Sequence, residues 1–382
     1  MNFEPTEEQR LLRESARSAL VGLCTMPVLR KGFDDPAKLD AFAQALWASV
    51  AELGWTGLVV PEEHGGMGLG ATEFAILHEE LGRALFTGLY TVTAVLAAGL
   101  LQLAGCPASL RARLTDIASG AMRLALLEVQ SGERESFFAT CGHGGTVSLG
   151  THRVPDAGVA THFLLLATEQ VTSSHAGVGR LGMCLVDRSA SGVTVESRES
   201  FDPTHTMGSV TLRDAPLDPG HFHVTELPAA QIARVLGDMR LARCSEILGV
   251  ADRALSETVA YVKERKQFGQ PVGSFQAVKH KLADAYIALE NSRTAARYAA
   301  LARDAGAADA LLALDVAEAM TSVMGIRVTG DCIQAHGGMG FTWESDMHLY
   351  FKRARWLAST GRGVGHARAS IASAIVEGRV EF

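Results

Sequence analysis

Arg265, Gln267 and Phe268 stand within four residues of one another, just ahead of Gly269, Gln270 and Pro271. A forked cation, an amide and an aromatic ring in this order suit a flat ligand that carries phosphate. The guanidinium offers two parallel donors, and the ring offers a packing face. The stretch that holds them, Tyr261 to Asp284, reads YVKERKQFGQPVGSFQAVKHKLAD. Upstream, Ala254, Leu255, Thr258, Val259 and Val262 repeat at helical spacing. Gly269 readily leaves the helical basin and Pro271 has no backbone donor, so the helix must break there. Ser274 is expected to cap a second helix, in which Val278, Leu282 and Ala285 recur at i, i+4 and i+7. A corner between two rigid rods would hold the three side chains in place. A helical hairpin with solvated charges is the competing reading, because such residues are ordinary in loops.

Other chemistries find little support. The six cysteines form no C-x-x-C pair, which excludes a zinc pattern and a disulfide framework and fits a reducing compartment. His336 has no second ligand nearby in sequence, so a metal is not expected. The glycines of Gly54 to Gly70 lack G-K-[ST] and do not open a helix after a strand, so neither a phosphate loop nor a dinucleotide fingerprint is present. No G-x-S-x-G occurs, which removes a serine-hydrolase reading.

Composition is that of a globular protein with a generous core: 382 residues, 47% hydrophobic and 20% charged. The net charge of −7 argues against nucleic acid as a partner. The N-terminus lacks an apolar targeting segment and the C-terminal Arg379-Val380-Glu381-Phe382 is not a peroxisomal address, so a cytoplasmic location is expected. Phe86 to Gly105 is uncharged and long enough to span a bilayer, but its Thr, Gly and Gln content favours a helix buried in protein.

Three regions follow from periodicity. Residues 1–122 read as helical, opening with Thr6 as N-cap and Gln9 as its capping-box partner. Residues 123–225 carry short β-type runs: Leu124–Leu127, Thr146–Leu149, Phe163–Leu166, Met183–Val186, Val193–Val195 and Ser209–Leu212. Residues 226–382 return to helix, with long patterns over Ile232–Arg265, Gln276–Asp304 and Asp309–Gln334. The expected architecture is mainly α with a middle β-domain.

These parts, in this order, resemble the acyl-CoA dehydrogenase family over essentially the whole chain. The most specific pieces are Arg265-Lys-Gln-Phe-Gly-Gln-Pro with Phe275-Gln276 and Leu282-Ala-Asp284, and Gln334-Ala-His-Gly-Gly-Met-Gly-Phe-Thr342. Thr6-Glu-Glu-Gln9, Gly54-Trp-Thr-Gly-Leu58 and Glu80-Leu-Gly-Arg83 add to them. The resemblance implies an N-terminal helical domain, a β-barrel-like middle domain and a C-terminal four-helix bundle, assembled as a dimer or tetramer. It implies FAD between the β-domain and the bundle, an acyl-CoA substrate, and an electron-transfer protein as acceptor. By family position, Arg265, Gln267 and Phe268 contact the FAD of an adjacent subunit, and Gln334, Gly337 and Gly338 hold the ADP half of the same FAD. The implied reaction is α,β-dehydrogenation of the thioester, with a carboxylate removing the α-proton and the β-hydride passing to the flavin.

The chain departs from the family where the base belongs. Counting from Lys352-Arg-Ala-Arg355 puts Gly361 at the commoner position of the catalytic Glu. The alternative position lies one residue before a helix Arg, itself 25 residues ahead of Arg265; that Arg is Arg240, so the position is Met239. Neither residue accepts a proton. The flavin-facing segments are altered too, at Leu127-Glu128-Val-Gln-Ser-Gly-Glu-Arg134 and at His152-Arg-Val-Pro-Asp156.

This pattern resembles heteromeric dehydrogenases of bulky side-chain CoA thioesters such as steroid side chains, where one subunit brings the base and the other completes the FAD site. Phe341 to Tyr350 also looks like that branch. The alternatives are a self-sufficient enzyme with a relocated base, for which Asp238 and Glu246 are candidates, and a scaffold that has lost the chemistry. Arg240 is placed by family position at the acyl-CoA cleft; the plainer reading is a solvated helix face with Arg243 and Glu246 paired at i,i+3. Glu128, Glu344 and Asp346 are read as structural carboxylates.

Overall fold

The computed structural model describes residues 3–143, 145–170, 178–217, 220–360 and 363–379. Helices α1 (Glu7–Leu23), α2 (Met26–Arg30), α3 (Pro36–Glu52) and α4 (Ala71–Arg83) come first. A π-helical segment, Thr91–Ala97, runs into α5 (Ala98–Leu101), and α6 (Ala108–Arg111) and α7 (Arg113–Ala118) follow. Strand β1 (Leu124–Glu128) leads to α8 (Arg134–His143). Strands β2 (Gly145–Pro155), β3 (His162–Gln170), β4 (Val178–Asp187), β5 (Val193–Arg198), β6 (Met207–Leu217) and β7 (Phe222–Pro228) complete the middle region. The long helix α9 (Ala229–Glu264) is followed by two short strands, β8 (Lys266–Gln267) and β9 (Gln270–Pro271). Helices α10 (Gln276–Asp304), α11 (Ala310–Ala335), α12 (Met347–Ser359) and α13 (Val364–Val376) end the chain. The order helical, β, helical is the expected one.

The chain packs as two compact units, neither continuous in sequence. One comprises Val28–Leu69 and Thr87–Met239; the other comprises Met1–Pro27, Gly70–Phe86 and Arg240–Phe382. The boundary between Met239 and Arg240 falls inside α9.

The first unit is built on two sheets. One has strand order β1-β3-β4-β7, with β1 parallel to β3 and the other pairs antiparallel; the second is antiparallel with order β2-β6-β5. Alternation sets the faces: Val147, Leu149 and Val154 of β2 point into one apolar cluster with Phe163 and Leu165 of β3. The opposite face of β3, Leu164 and Leu166, packs with Leu96, Leu100 and Leu101. The uncharged stretch from Phe86 is therefore covered by protein. Among the described residues no helix is long and apolar enough to cross a membrane.

Helix α8 departs from the expected run of strands. Arg134–His143 has no apolar stripe at helical spacing, so periodicity does not announce it. Within it, Phe137 and Phe138 are both buried in the β-domain core. Gly182 of β4 makes room: a Cβ there would lie 2.9 Å from the Phe138 ring. The Arg180 guanidinium covers that ring from 4.1 Å.

In the second unit, α1 lies on α4 through charges that repeat with the helix. Gln9, Arg13 and Arg17 occupy one face at four-residue spacing. They meet Glu73 at 2.8 Å, Glu79 at 3.3 Å and Glu80 at 2.9 and 2.7 Å. The Thr6–Gln9 capping box starts α1 as expected. Asp304 caps α4, accepting from the Ala71 and Thr72 N–H groups and the Thr72 hydroxyl. A carboxylate at a helix N-terminus is favoured by the exposed N–H groups and the dipole.

Helices α4 and α9 cross with their backbones almost touching. A Cβ on Gly82 would lie 2.1 Å from the Glu246 carbonyl oxygen, and one on Gly249 would lie 1.8 Å from the Glu79 carbonyl oxygen. Only glycine fits at either position. Arg293 of α10 joins the crossing by bonding Glu79 at 3.0 Å and Asp252 at 3.2 Å.

Candidate functional site

The break after α9 is a tight hairpin. Phe268 and Gly269 both have positive φ, 53° and 78°, so the chain reverses between β8 and β9 within two residues. Gly269 adopts this conformation freely; Phe268 does so against its steric preference. The hairpin is tied back by Arg265 N–H to Tyr261 O at 2.9 Å and Val272 N–H to Arg265 O at 2.8 Å. Ser274 does not cap α10 as expected. Its hydroxyl donates to Pro271 O at 2.6 Å, and extended Phe275 takes the N-cap position.

Arg265, Gln267 and Phe268 all face solvent, and the Phe268 ring is 91% exposed. Burying such a ring fully would stabilise a contact by about 1.5–3 kcal/mol. Gln334, Gly337 and Gly338 are exposed as well. Gly337 has φ 62°, and a Cβ at either glycine would meet open space. The two stretches are at the same end of the bundle, because Tyr261 stacks on His336 with ring centroids 4.2 Å apart. His336 Nδ1 is fixed by Cys332 O at 2.8 Å, so this imidazole is a packing group. Among the described residues no cluster of three or more metal-ligating side chains occurs.

The two positions expected for the base differ in what the structure describes. Gly361 lies outside the described residues. Met239 is 5% exposed and packs with Leu96, Leu100, Ile232 and Val235.

Arg240, placed by family position at the acyl-CoA cleft, is held by carboxylates of α11. It is buried, and its guanidinium donates to Glu318 and Asp315, with Nε at 2.7 Å from Glu318. Asp315 in turn accepts from Ser370 at 2.5 Å, so one buried cluster joins α9, α11 and α13. The solvated-face reading of this helix is overturned by burial. Glu246 is buried and accepts from Arg353 at 2.8 Å, and Arg353, with no exposed surface, also donates to Phe86 O at 2.9 Å. A carboxylate holding a fully buried cation is not available to roam. Asp238 is buried.

Sequence reasoning missed Asp315, Glu318 and Arg353. The first two carried a signal: two carboxylates three residues apart in the otherwise apolar run ALLALDVAEAM. Charges spaced this way on an apolar helix need a buried partner.

Residues 6–121 match the acyl-CoA dehydrogenase N-terminal domain, and residues 229–372 match the acyl-CoA dehydrogenase C-terminal domain. The acyl-CoA dehydrogenase IpdE2 of Mycobacterium tuberculosis is 30% identical over 92% of this chain and 92% of that protein. A solved variant of the steroid ACAD Tcur3481–Tcur3483 is 28% identical, with TM-score 0.75 over 98% of this chain and 99% of that one. The ChsE4–ChsE5 complex from Mycobacterium tuberculosis shares the fold, with TM-score 0.77 and 24% identity over 99% of each chain. The chain belongs to the acyl-CoA dehydrogenase family. It is thus an FAD-dependent oxidoreductase acting on acyl-CoA.

Proposed function

We propose that this chain is the base-lacking subunit of a heteromeric acyl-CoA dehydrogenase, and that it completes the FAD site of a neighbouring subunit. The carrying observation is Met239, a thioether packed among aliphatic side chains at one of the two base positions. Glycine at position 361 leaves the other base position without a carboxylate. Glu246 is spent on Arg353, which weakens it as a relocated base. The steroid ACAD named among the relatives supports a bulky side-chain thioester as substrate.

Arg265, Gln267 and Phe268 would hold FAD with Gln334, Gly337 and Gly338. The donor set fits: a guanidinium for the pyrophosphate, amides for polar edges, a ring for packing, and two glycines whose missing Cβ atoms admit close approach. FAD, when bound, supplies the acceptor for the substrate's β-hydride. This chain's residues bind and orient; the proton from the α-carbon goes to a base on the other subunit. Arg240, held by Glu318 and Asp315, keeps the segment of α9 beside position 239 in place. An electron-transfer protein would then reoxidise the assembly.

Colour tests this reading. The chain purified alone is expected to be colourless, and to become yellow and active with a related partner chain. A yellow preparation that bleaches with acyl-CoA would instead establish a self-sufficient enzyme. A chain that stays colourless with every partner would establish a scaffold.

A further inference from the structure

Asp40 and Asp156 meet at a single hydroxyl group. Asp40 lies one turn into α3, whose N-cap is Asp35. Asp156 follows β2 in a left-handed turn with φ 50°. Thr206, just before β6, has its Oγ1 2.8 Å from Asp40 Oδ1 and 3.2 Å from Asp156 Oδ1. Gly158 allows the approach, since a Cβ there would lie 2.1 Å from Asp40 Oδ2.

The hydroxyl has one proton and two carboxylates to serve. If both carboxylates are ionised, one of them faces oxygen lone pairs with no hydrogen between. If one is protonated, the hydroxyl accepts from the acid and donates to the carboxylate, and every contact is satisfied. Asp156 has further partners: Oδ1 also accepts from the Thr206 N–H at 3.0 Å, and Oδ2 lies 2.6 Å from His205 Nδ1. Asp40 has the Thr206 hydroxyl at 2.8 Å, an ordinary O–H···O length, and is the group placed to carry the proton.

Arg188 lies on the Gly158 side, where it donates to Gly158 O, and Arg123 donates to Val159 O at 2.8 Å. Asp202, buried, caps its own turn through Thr204. On α3 itself, Lys38 is exposed and paired with Asp35. Burial, and Asp156 after it, push Asp40 above the usual carboxylate range against the pull of Thr206 and Arg188.

We propose that Asp40 and Asp156 hold one proton between them across the Thr206 hydroxyl, making the seating of α3 on the Asp156 turn a pH-operated latch. The latch is closed while Asp40 is protonated and loosens when that proton passes to solvent. The sign follows from linkage: a raised folded-state value stabilises below the unfolded value and is lost as pH rises through the folded one.

Hydrogen exchange of the full-length chain tests this, following the α3 amides from about pH 4, near the unfolded aspartate value, up to about 8.5, after correction for intrinsic rates. Wild-type α3 should lose protection several-fold as pH rises. D40N should hold it constant. D156N, whose asparagine tolerates the left-handed turn, removes the charge that raises Asp40 and should move the change to lower pH; an unmoved change, or a shift to higher pH, overturns the coupling. H205N should keep the dependence. Protection independent of pH in the wild type, an unchanged dependence in D40N, or a dependence lost only in H205N would overturn the latch.

Discussion

Tyr261 stacks on His336 with their rings 19° from parallel and centroids 4.2 Å apart. One belongs to the last turn of α9, the other to the turn that ends α11. The contact sets the spacing between the Arg265 hairpin and the Gly337 turn, which the proposed FAD site uses together. Replacing Tyr261 by Ala should therefore weaken flavin binding although Tyr261 need not touch flavin. Tyr261→Phe keeps the stack and should bind normally. Flavin content of the assembled enzyme, read by absorbance after dialysis, distinguishes the two.

Arg265→Ala removes the forked donor directly. Hydrogen bonds to charged groups are worth about 1.5–3 kcal/mol, so flavin affinity should fall roughly ten- to a hundredfold. Arg265→Lys should recover only part, since an ammonium cannot make the bidentate contact. Titration of the apo-assembly with FAD measures both. Full retention of flavin by Arg265→Ala would sink the assignment.

Glu246 and Arg353 separate a structural carboxylate from a catalytic one. Glu246→Ala takes the carboxylate away from a fully buried guanidinium. The loss of stability should be about 3–5 kcal/mol by chemical denaturation. A variant of undiminished stability but abolished turnover would instead identify Glu246 as the base.

Gly249→Ala should destabilise strongly, because the added methyl falls on the Glu79 carbonyl and the two helices must move apart. Overpacking of this kind costs about 1–3 kcal/mol. The same change at Gly338, which faces open space, should leave the stability of the free chain unaltered and act only on ligand binding. Thermal denaturation of both variants provides the contrast.

His78 predicts an acid limb. It is completely buried, its Nδ1 lies 2.7 Å from Phe74 O, and burial lowers its proton affinity below the ordinary histidine range. The folded state thus resists a proton that the unfolded chain accepts near pH 6.5. Stability is complete above that value and declines as pH falls below it, by up to about 1.4 kcal/mol per pH unit until the folded-state value is reached. Denaturation curves between pH 5 and 8 should show this slope, and His78→Asn should flatten it.

The sequence by itself determined the order of helical and β regions, the capping box at Thr6, the break at Gly269 and the family. All of these depend on local spacing or on residue types in short runs. Counting along the chain from Arg265 and from Arg355 also put the expected base positions at Met239 and Gly361, neither of them a carboxylate. Tertiary structure decided who partners whom. Arg240 was legible as a charge on a helix, but its capture by Asp315 and Glu318 brings together residues 75 and 78 positions apart. Glu246 offered Arg243 as a near neighbour in sequence, yet a buried Arg353, 107 positions away, claims it. The physical reason is burial. A desolvated charge takes whichever opposite charge the packing delivers, and that choice is made by the crossing of helices, at places such as Gly82 and Gly249, where no periodicity records it.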